Sequence, residues 1–71
     1  MIWFYEKDGE HLRCEVRHLV EGDRFDLVII EPNGQERVET FEDSSLLNKR
    51  SAQLEREWRA MGWDGPFSRD F

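Results

Sequence analysis

The sequence predicts an α+β domain: a four-stranded antiparallel β-meander followed by one C-terminal amphipathic helix packed across one face, in the order ββββα. Three observations predict it. Apolar and polar residues alternate through much of the stretch from Ile2 to Phe41, which is the side-chain period of a strand. Gly-containing pairs, Asp8-Gly9, Gly22-Asp23 and Asn33-Gly34, interrupt that alternation at hairpin spacing. From Leu46 to Met61 there is neither Gly nor Pro, and Leu47, Leu54 and Met61 recur seven apart, as on one face of a helix.

The first strand is Ile2 to Lys7, rich in aromatic residues. Asp8-Gly9 closes a two-residue loop, because Gly adopts positive φ at no steric cost. The second strand then runs from Glu10 to Val20. With Lys7 opposite Glu10, Tyr5 faces Leu12, Trp3 faces Cys14 and Met1 faces Val16 on one apolar face. The other face pairs Glu6 with His11, Phe4 with Arg13 and Ile2 with Glu15. A slip of one residue mixes the two sets, so the pattern selects this register.

Gly22-Asp23 reads as a second two-residue loop with Gly first, as a type II′ turn prefers. That loop pairs Glu21 with Arg24, Val20 with Phe25, His18 with Leu27 and Val16 with Ile29, continuing the same apolar face. Pro32-Asn33-Gly34 makes the third turn in one of two ways. A two-residue Asn33-Gly34 loop pairs Ile29 with Val38 and Leu27 with Thr40. A type I turn begun at Pro32 with a Gly34 bulge shifts that pairing by one. The last strand, near Gln35 to Phe41, is an edge whose Glu36, Arg37 and Glu39 discourage aggregation.

Asp43, Ser44 and Ser45 are the N-cap candidates of the helix. Leu46, Leu47, Leu54, Trp58 and Met61 fall within a ~120° arc. Gly62 is the expected left-handed stop, with Trp63 placed for a Schellman contact. A helix of ~27 Å at 1.5 Å per residue is comparable to a second strand of ~33 Å, so one helix is expected to cover the apolar face. Residues 1–63 thus form one domain, and residues 64–71, broken by Gly65-Pro66, an irregular tail. Whether its Phe67 and Phe71 fold over the second sheet face is left open by the sequence.

Composition narrows the function classes. Sixteen acids against ten bases give a net charge of −6, which favours solubility and opposes general binding to nucleic acid or anionic membranes. The apolar start, Met1 to Tyr5, is too short for a secretory signal, and no stretch approaches the ~20 residues of a membrane span. Cys14 is the one cysteine, so no intrachain disulfide forms, which suits a reducing cytoplasm. The expected location is cytoplasmic. Nine aromatic rings stand in for staples, since each buries ~150–250 Å².

No catalytic, cofactor or metal site is expected. Cys14 and His18 share a face but lie four residues apart on one strand, roughly 13 Å, too far to hold one ion at ~2.0–2.3 Å. The same separation rules out a Cys-His catalytic pair, which needs contact near ~3 Å. Cys14 reads as a small core residue and His18 as a rim residue with one hydrogen-bond partner. Glu55 and Arg59 form an i,i+4 helix pair, and Lys49, Arg56 and Arg59 a solvated stripe. Little volume is expected for an enclosed pocket of ~300 Å³, so no small-molecule ligand is evident.

The second sheet face is mixed where a solvated one reads as polar. Ile2, Phe4, Leu19, Val28 and Ile30 point there among Arg13, Glu15 and Arg17. Aromatic and Arg residues side by side are enriched at binding hot spots. The candidate interface is therefore Ile2, Phe4, Arg13, Arg17, Val28 and Ile30. The expected function is a small non-enzymatic interaction or regulatory module, self-associating as a homodimer or docking a protein partner through that face. The alternative is single-stranded nucleic-acid binding. Several strands followed by a helix resemble the unit of Pur-type and Whirly-type binders, and that resemblance implies bases stacked on Phe4 beside Arg13 and Arg17. The acidic balance opposes it. The chain also resembles short bacterial proteins, a likeness that implies no mechanism.

Overall fold

The computed structural model describes residues 2–68. Its elements in chain order are β1 (Ile2–Lys7), β2 (Glu10–Leu19), β3 (Arg24–Ile30), β4 (Glu36–Phe41), α1 (Ser44–Ala60) and β5 (Asp64–Ser68). The fold is α+β with an antiparallel sheet and one helix, as the sequence predicts, but the sheet has five strands in the order β4-β3-β2-β1-β5.

The fifth strand corrects the irregular tail. Asp64–Ser68 pairs antiparallel with β1, Trp3 opposite Ser68 and Phe4 opposite Phe67, and the register shifts between Phe4 and Glu6. Gly65 and Pro66 together oppose Tyr5 at that bulge, and the peptide joining them is cis. Pro66 is tolerated because β5 is an edge strand with one neighbour. Gly65 is required because its φ is +140° and a Cβ there meets Tyr5 Cδ1 at 2.9 Å and the Phe4 carbonyl oxygen at 3.0 Å. Phe71 and the Met1–Val16 pairing lie outside the described residues.

The first hairpin forms in the predicted register, from Ile2 opposite Glu15 to Lys7 opposite Glu10. Asp8 and Gly9 both take positive φ, as a type I′ turn demands. The second hairpin keeps the predicted face but not the predicted register. Leu19 pairs with Arg24, His18 with Phe25, Val16 with Leu27 and Cys14 with Ile29, a displacement of two residues. The loop is Val20-Glu21-Gly22-Asp23, in which the Asp23 amide donates to the Val20 carbonyl at 3.4 Å. Val20 is consequently 83% exposed instead of in the core. The third turn takes the bulged form. The Gly34 amide donates to the Glu31 carbonyl at 2.8 Å, the Glu31 amide to that of Gln35 at 2.9 Å, and Gly34 has φ +86°. Val38 therefore faces Val28, and Arg37 faces Ile29.

The helix begins and ends where its capping residues dictate. Asp43 is the N-cap and accepts the Ser45 amide at 2.7 Å, a bond that holds its carboxyl below the usual range. At the other end the Trp63 amide reaches the Trp58 carbonyl at 3.0 Å and the Gly62 amide that of Arg59 at 3.1 Å, the two bonds of a Schellman motif. Lys7 Nζ donates to the Met61 carbonyl at 2.6 Å, placing a cation at the negative helix end and tying it to β1.

The core lies between α1 and the inner sheet face. Tyr5, Leu12, Cys14, Leu27 and Ile29 meet Leu47, Leu54 and Trp58, with Trp3, Val16, Phe25, Phe41 and Trp63 packed around them. The apolar stripe is narrower than predicted: Leu46 and Met61 are 53% and 55% exposed. The helix crosses the inner face from β4, where Arg50 donates from Nε and Nη2 to both Glu39 carboxylate oxygens at 2.9 and 3.2 Å, to β1, where Trp58 meets Tyr5. It leaves the region around Trp3, Val16 and Phe25, at the ends of β1, β2 and β3, uncovered.

Candidate docking surfaces

The outer sheet face gathers the predicted interface residues because alternate positions of paired strands share a side. Along one ladder stand Glu36, Ile30, Arg13, Phe4 and Phe67, and along the next Val38, Val28, Glu15 and Ile2. Ile2, Phe4 and Ile30 are half-buried, and Arg13 and Arg17 exposed. Val28 differs from the expectation. It is 1% exposed at the centre of the sheet between Glu15 and Val38, so it supports its neighbours without offering surface of its own.

Two residues on this face were missed or left open by the sequence. Val38 is 54% exposed, and its side depends on the bulged third turn, between whose two forms the pattern does not choose. Phe67 is 43% exposed and extends the face through β5, with its ring centroid 5.7 Å from that of Phe4. Phe4 also lies 6.0 Å from the His11 ring.

The arginines of this face are not loose cations. Glu15 sits between them on β2 and accepts from Arg17 Nε and Nη2, both at 3.2 Å, while Arg13 Nη2 lies 4.0 Å away. The Arg17 hydrogen bond holds the Glu15 carboxyl below the usual carboxylate range, and the same bond raises the Arg17 guanidinium further. Thr40 donates to Asp26 at 2.9 Å on the same face. A fixed charged column, Arg13-Glu15-Arg17, thus runs between apolar groups.

The second surface is a groove of about 790 Å³ on the inner face, between α1 and the ends of β1, β2 and β3. Trp3, Val16 and Phe25 form its floor, and Asn48, Ala52 and Glu55 its helix wall. It is open, not enclosed, and it corrects the expectation that one helix covers this face. His18 lines it, stacked on Phe25 at 4.5 Å, with Asp23 Oδ1 3.5 Å from Nε2. That bond ties His18 to its own hairpin loop. Glu55 is held 3.6 Å from Arg59, the predicted i,i+4 pair. No group of three or more His, Cys, Asp or Glu converges among the described residues.

Cys14 stands opposite Trp3, 1% exposed, and burial pushes its thiol up to about 12. Burial also pushes the Tyr5 phenol up to about 12. Both groups are neutral at pH 7 in either state. On unfolding the thiol ionises near its ordinary 9.0 and the phenol near 10.0, so the unfolded chain releases protons first. Stability is therefore expected to be flat with respect to these two groups below pH 9.0 and to fall between 9.0 and about 12. Urea midpoints measured from neutral pH upward check this. A thiol reagent is expected to modify Cys14 only after unfolding, and fast labelling of the native protein would contradict its burial.

No helix among the described residues is long and apolar enough to cross a membrane. No known protein family, curated protein or solved structure matches the chain.

Proposed function

We propose that this chain is a small non-enzymatic protein-interaction module that docks a protein partner on the outer face of its sheet. One observation carries the reading. Ile2, Phe4, Ile30, Val38 and Phe67 share that face, two of them more than two-fifths exposed, and no helix or strand among the described residues crosses it. Contiguous apolar surface rimmed by polar groups marks interaction sites. The Arg13-Glu15-Arg17 column gives such a surface a fixed charge pattern that a partner must match.

The same column decides what kind of partner fits. With β2 stacked on β2 of a second copy about an axis along the strands, Arg13 meets Arg13 and Arg17 meets Arg17. About an axis across the strands at Glu15, Arg13 meets Arg17 and Glu15 meets Glu15. Like charges oppose in both arrangements, whereas an axis one residue further along, between Glu15 and Arg17, sets those two opposite charges against each other. The column therefore admits a second copy only in such a displaced register and otherwise favours a protein of different sequence. Nucleic acid is disfavoured as well. Glu15 occupies the Arg17 guanidinium, and the chain is net −6, so few counterions are released on a phosphate backbone.

Phe4→Glu and Phe67→Glu place a carboxylate in the middle and at the β5 side of the face without touching the core. Both variants are expected to stay folded by circular dichroism. Each is expected to lose any protein that the wild-type chain retains from cell extract by at least about tenfold, the loss of one hot-spot contact. Equal retention by wild type and both variants, or a wild type that retains nothing, would overturn the proposal.

A further inference from the structure

We infer that a second copy of this chain pairs with the first along the open edge of β4, antiparallel about a two-fold axis at Val38, so that two five-stranded sheets become one. This inference uses a different surface from the docking face above and stands independently of it.

The backbone pattern comes first. Strand β4 has one neighbour, β3. The Glu31 amide donates to the Gln35 carbonyl, which makes Glu31–Gln35 a hydrogen-bonded pair. Antiparallel pairs alternate, so Ile29–Arg37 and Leu27–Glu39 are also hydrogen-bonded and Ile30–Glu36 and Val28–Val38 are not. Glu36, Val38 and Thr40 therefore turn their N–H and C=O groups to the open edge. Such a row is a template for another strand.

The side chains then select one partner and one register. A two-fold antiparallel pair places residue i opposite residue 2n − i. Centred on Arg37, it sets Arg37 against Arg37; centred on Glu39, it sets Glu39 against Glu39. Centred on Val38, it sets Arg37 against the partner's Glu39 twice, Glu36 against the partner's Thr40 twice, and Val38 against itself. The charges that guard this edge in other registers are complementary to their own copy in this one. Glu39 already binds Arg50 through both oxygens, but each carboxylate oxygen accepts more than one hydrogen bond. Arg37 holds Glu31 through Nε at 3.3 Å and has its outer nitrogens to offer.

Exposure supports the same edge. Two of the large exposed apolar residues among those described, Val38 and Leu46, border it. Leu46 lies one turn before Arg50 on the helix flank from which Arg50 reaches Glu39, so that flank overlooks β4. In the pair, Val28 and Val38 of both copies form one apolar row across the joint.

The experiment uses the intact chain at high micromolar concentration in an analytical ultracentrifuge. Wild type is expected to sediment as a dimer in concentration-dependent equilibrium. Arg37→Glu makes both residues at the crossing acidic, and Glu39→Lys makes both basic. Each variant alone is expected to dimerise at least about tenfold more weakly, since like charges directly opposite destabilise a strand pair. An equimolar mixture restores both attractive pairs and is expected to form the heterodimer, identified by native mass spectrometry. Val38→Pro provides a second route. Its N–H points outward, so the fold is expected to survive by circular dichroism while the dimer is lost. A wild type that remains monomeric would overturn the inference, as would a mixture no tighter than its components or a folded Val38→Pro that still dimerises. Phe4→Glu is expected to leave the dimer intact, which separates failure at the edge from failure at the outer face.

Discussion

Replacing Trp58 by Ala is expected to cost most of the stability of this domain. Trp58 is 5% exposed, and its ring meets Tyr5 edge-on with centroids 5.0 Å apart. It also supplies the carbonyl that accepts the Trp63 amide at the end of the helix, so its position is fixed from both sides. Truncating a buried aromatic costs about 3–5 kcal/mol when the cavity does not collapse. A domain of this length has only about 4–10 kcal/mol in total. The Schellman bonds cannot compensate, because they survive the substitution and fix the backbone around the cavity. Urea unfolding followed by far-ultraviolet circular dichroism is expected to show a loss of about 3–5 kcal/mol. A loss below about 1 kcal/mol would mean that Trp58 does not join α1 to the sheet in solution.

The second large effect is expected at Gly65. Ala there must adopt φ +140° and place a Cβ 2.9 Å from Tyr5 Cδ1 and 3.0 Å from the Phe4 carbonyl oxygen. Those neighbours are a ring carbon of a buried core residue and a backbone oxygen, neither free to swing aside. Strained backbone and overpacking each cost about 1–3 kcal/mol, so roughly 2–5 kcal/mol is expected to be lost. The spatial pattern distinguishes this from an ordinary core defect. Amide exchange is expected to rise first on the side of β1 that faces β5, at the residues paired with Phe67 and Ser68, while the β2–β3 ladder stays protected. Uniform loss of protection across the sheet, or no change in stability, would contradict the close approach of Gly65 to β1.

Which parts of this structure could be read from the chain follows from what each signal encodes. The first hairpin was legible because Asp8-Gly9 admits one turn geometry and every residue after it is then assigned. The second hairpin was legible in side but not in register. Hydrophobic alternation has period two, and a displacement by two residues leaves it unchanged. Only the turn distinguishes the two pairings, and Val20 resembles a strand residue although it belongs to the loop. Both helix ends were legible because Asp43 and Gly62 act through bonds to their own neighbours. β5 was hidden because Gly65-Pro66 is locally a breaker, and its strand geometry is imposed by β1, some sixty residues away. Ile2, Phe4, Arg13, Arg17, Val28 and Ile30 lie on the one sheet side that alternation assigns them, yet Val28 is buried there. Parity gives the side of a sheet; depth at its centre depends on the neighbours around it. The groove was invisible for a related reason, since helical period fixes which side of α1 is buried but not where the axis crosses the strands.

The position of β1 between β2 and β5 has a consequence for how the protein is made. During translation the first four strands emerge and can join in sequence through short loops. The flank of β1 that β5 will occupy, beside Tyr5, stays open until residues 64–68 have left the ribosome, because β5 meets β1 across nearly the whole described length. In that interval β1, with its run of aromatic residues, is itself the bare margin on that side, where β5 will later stand. The arrival of β5 then completes the sheet as the final, longest-range step of its biogenesis.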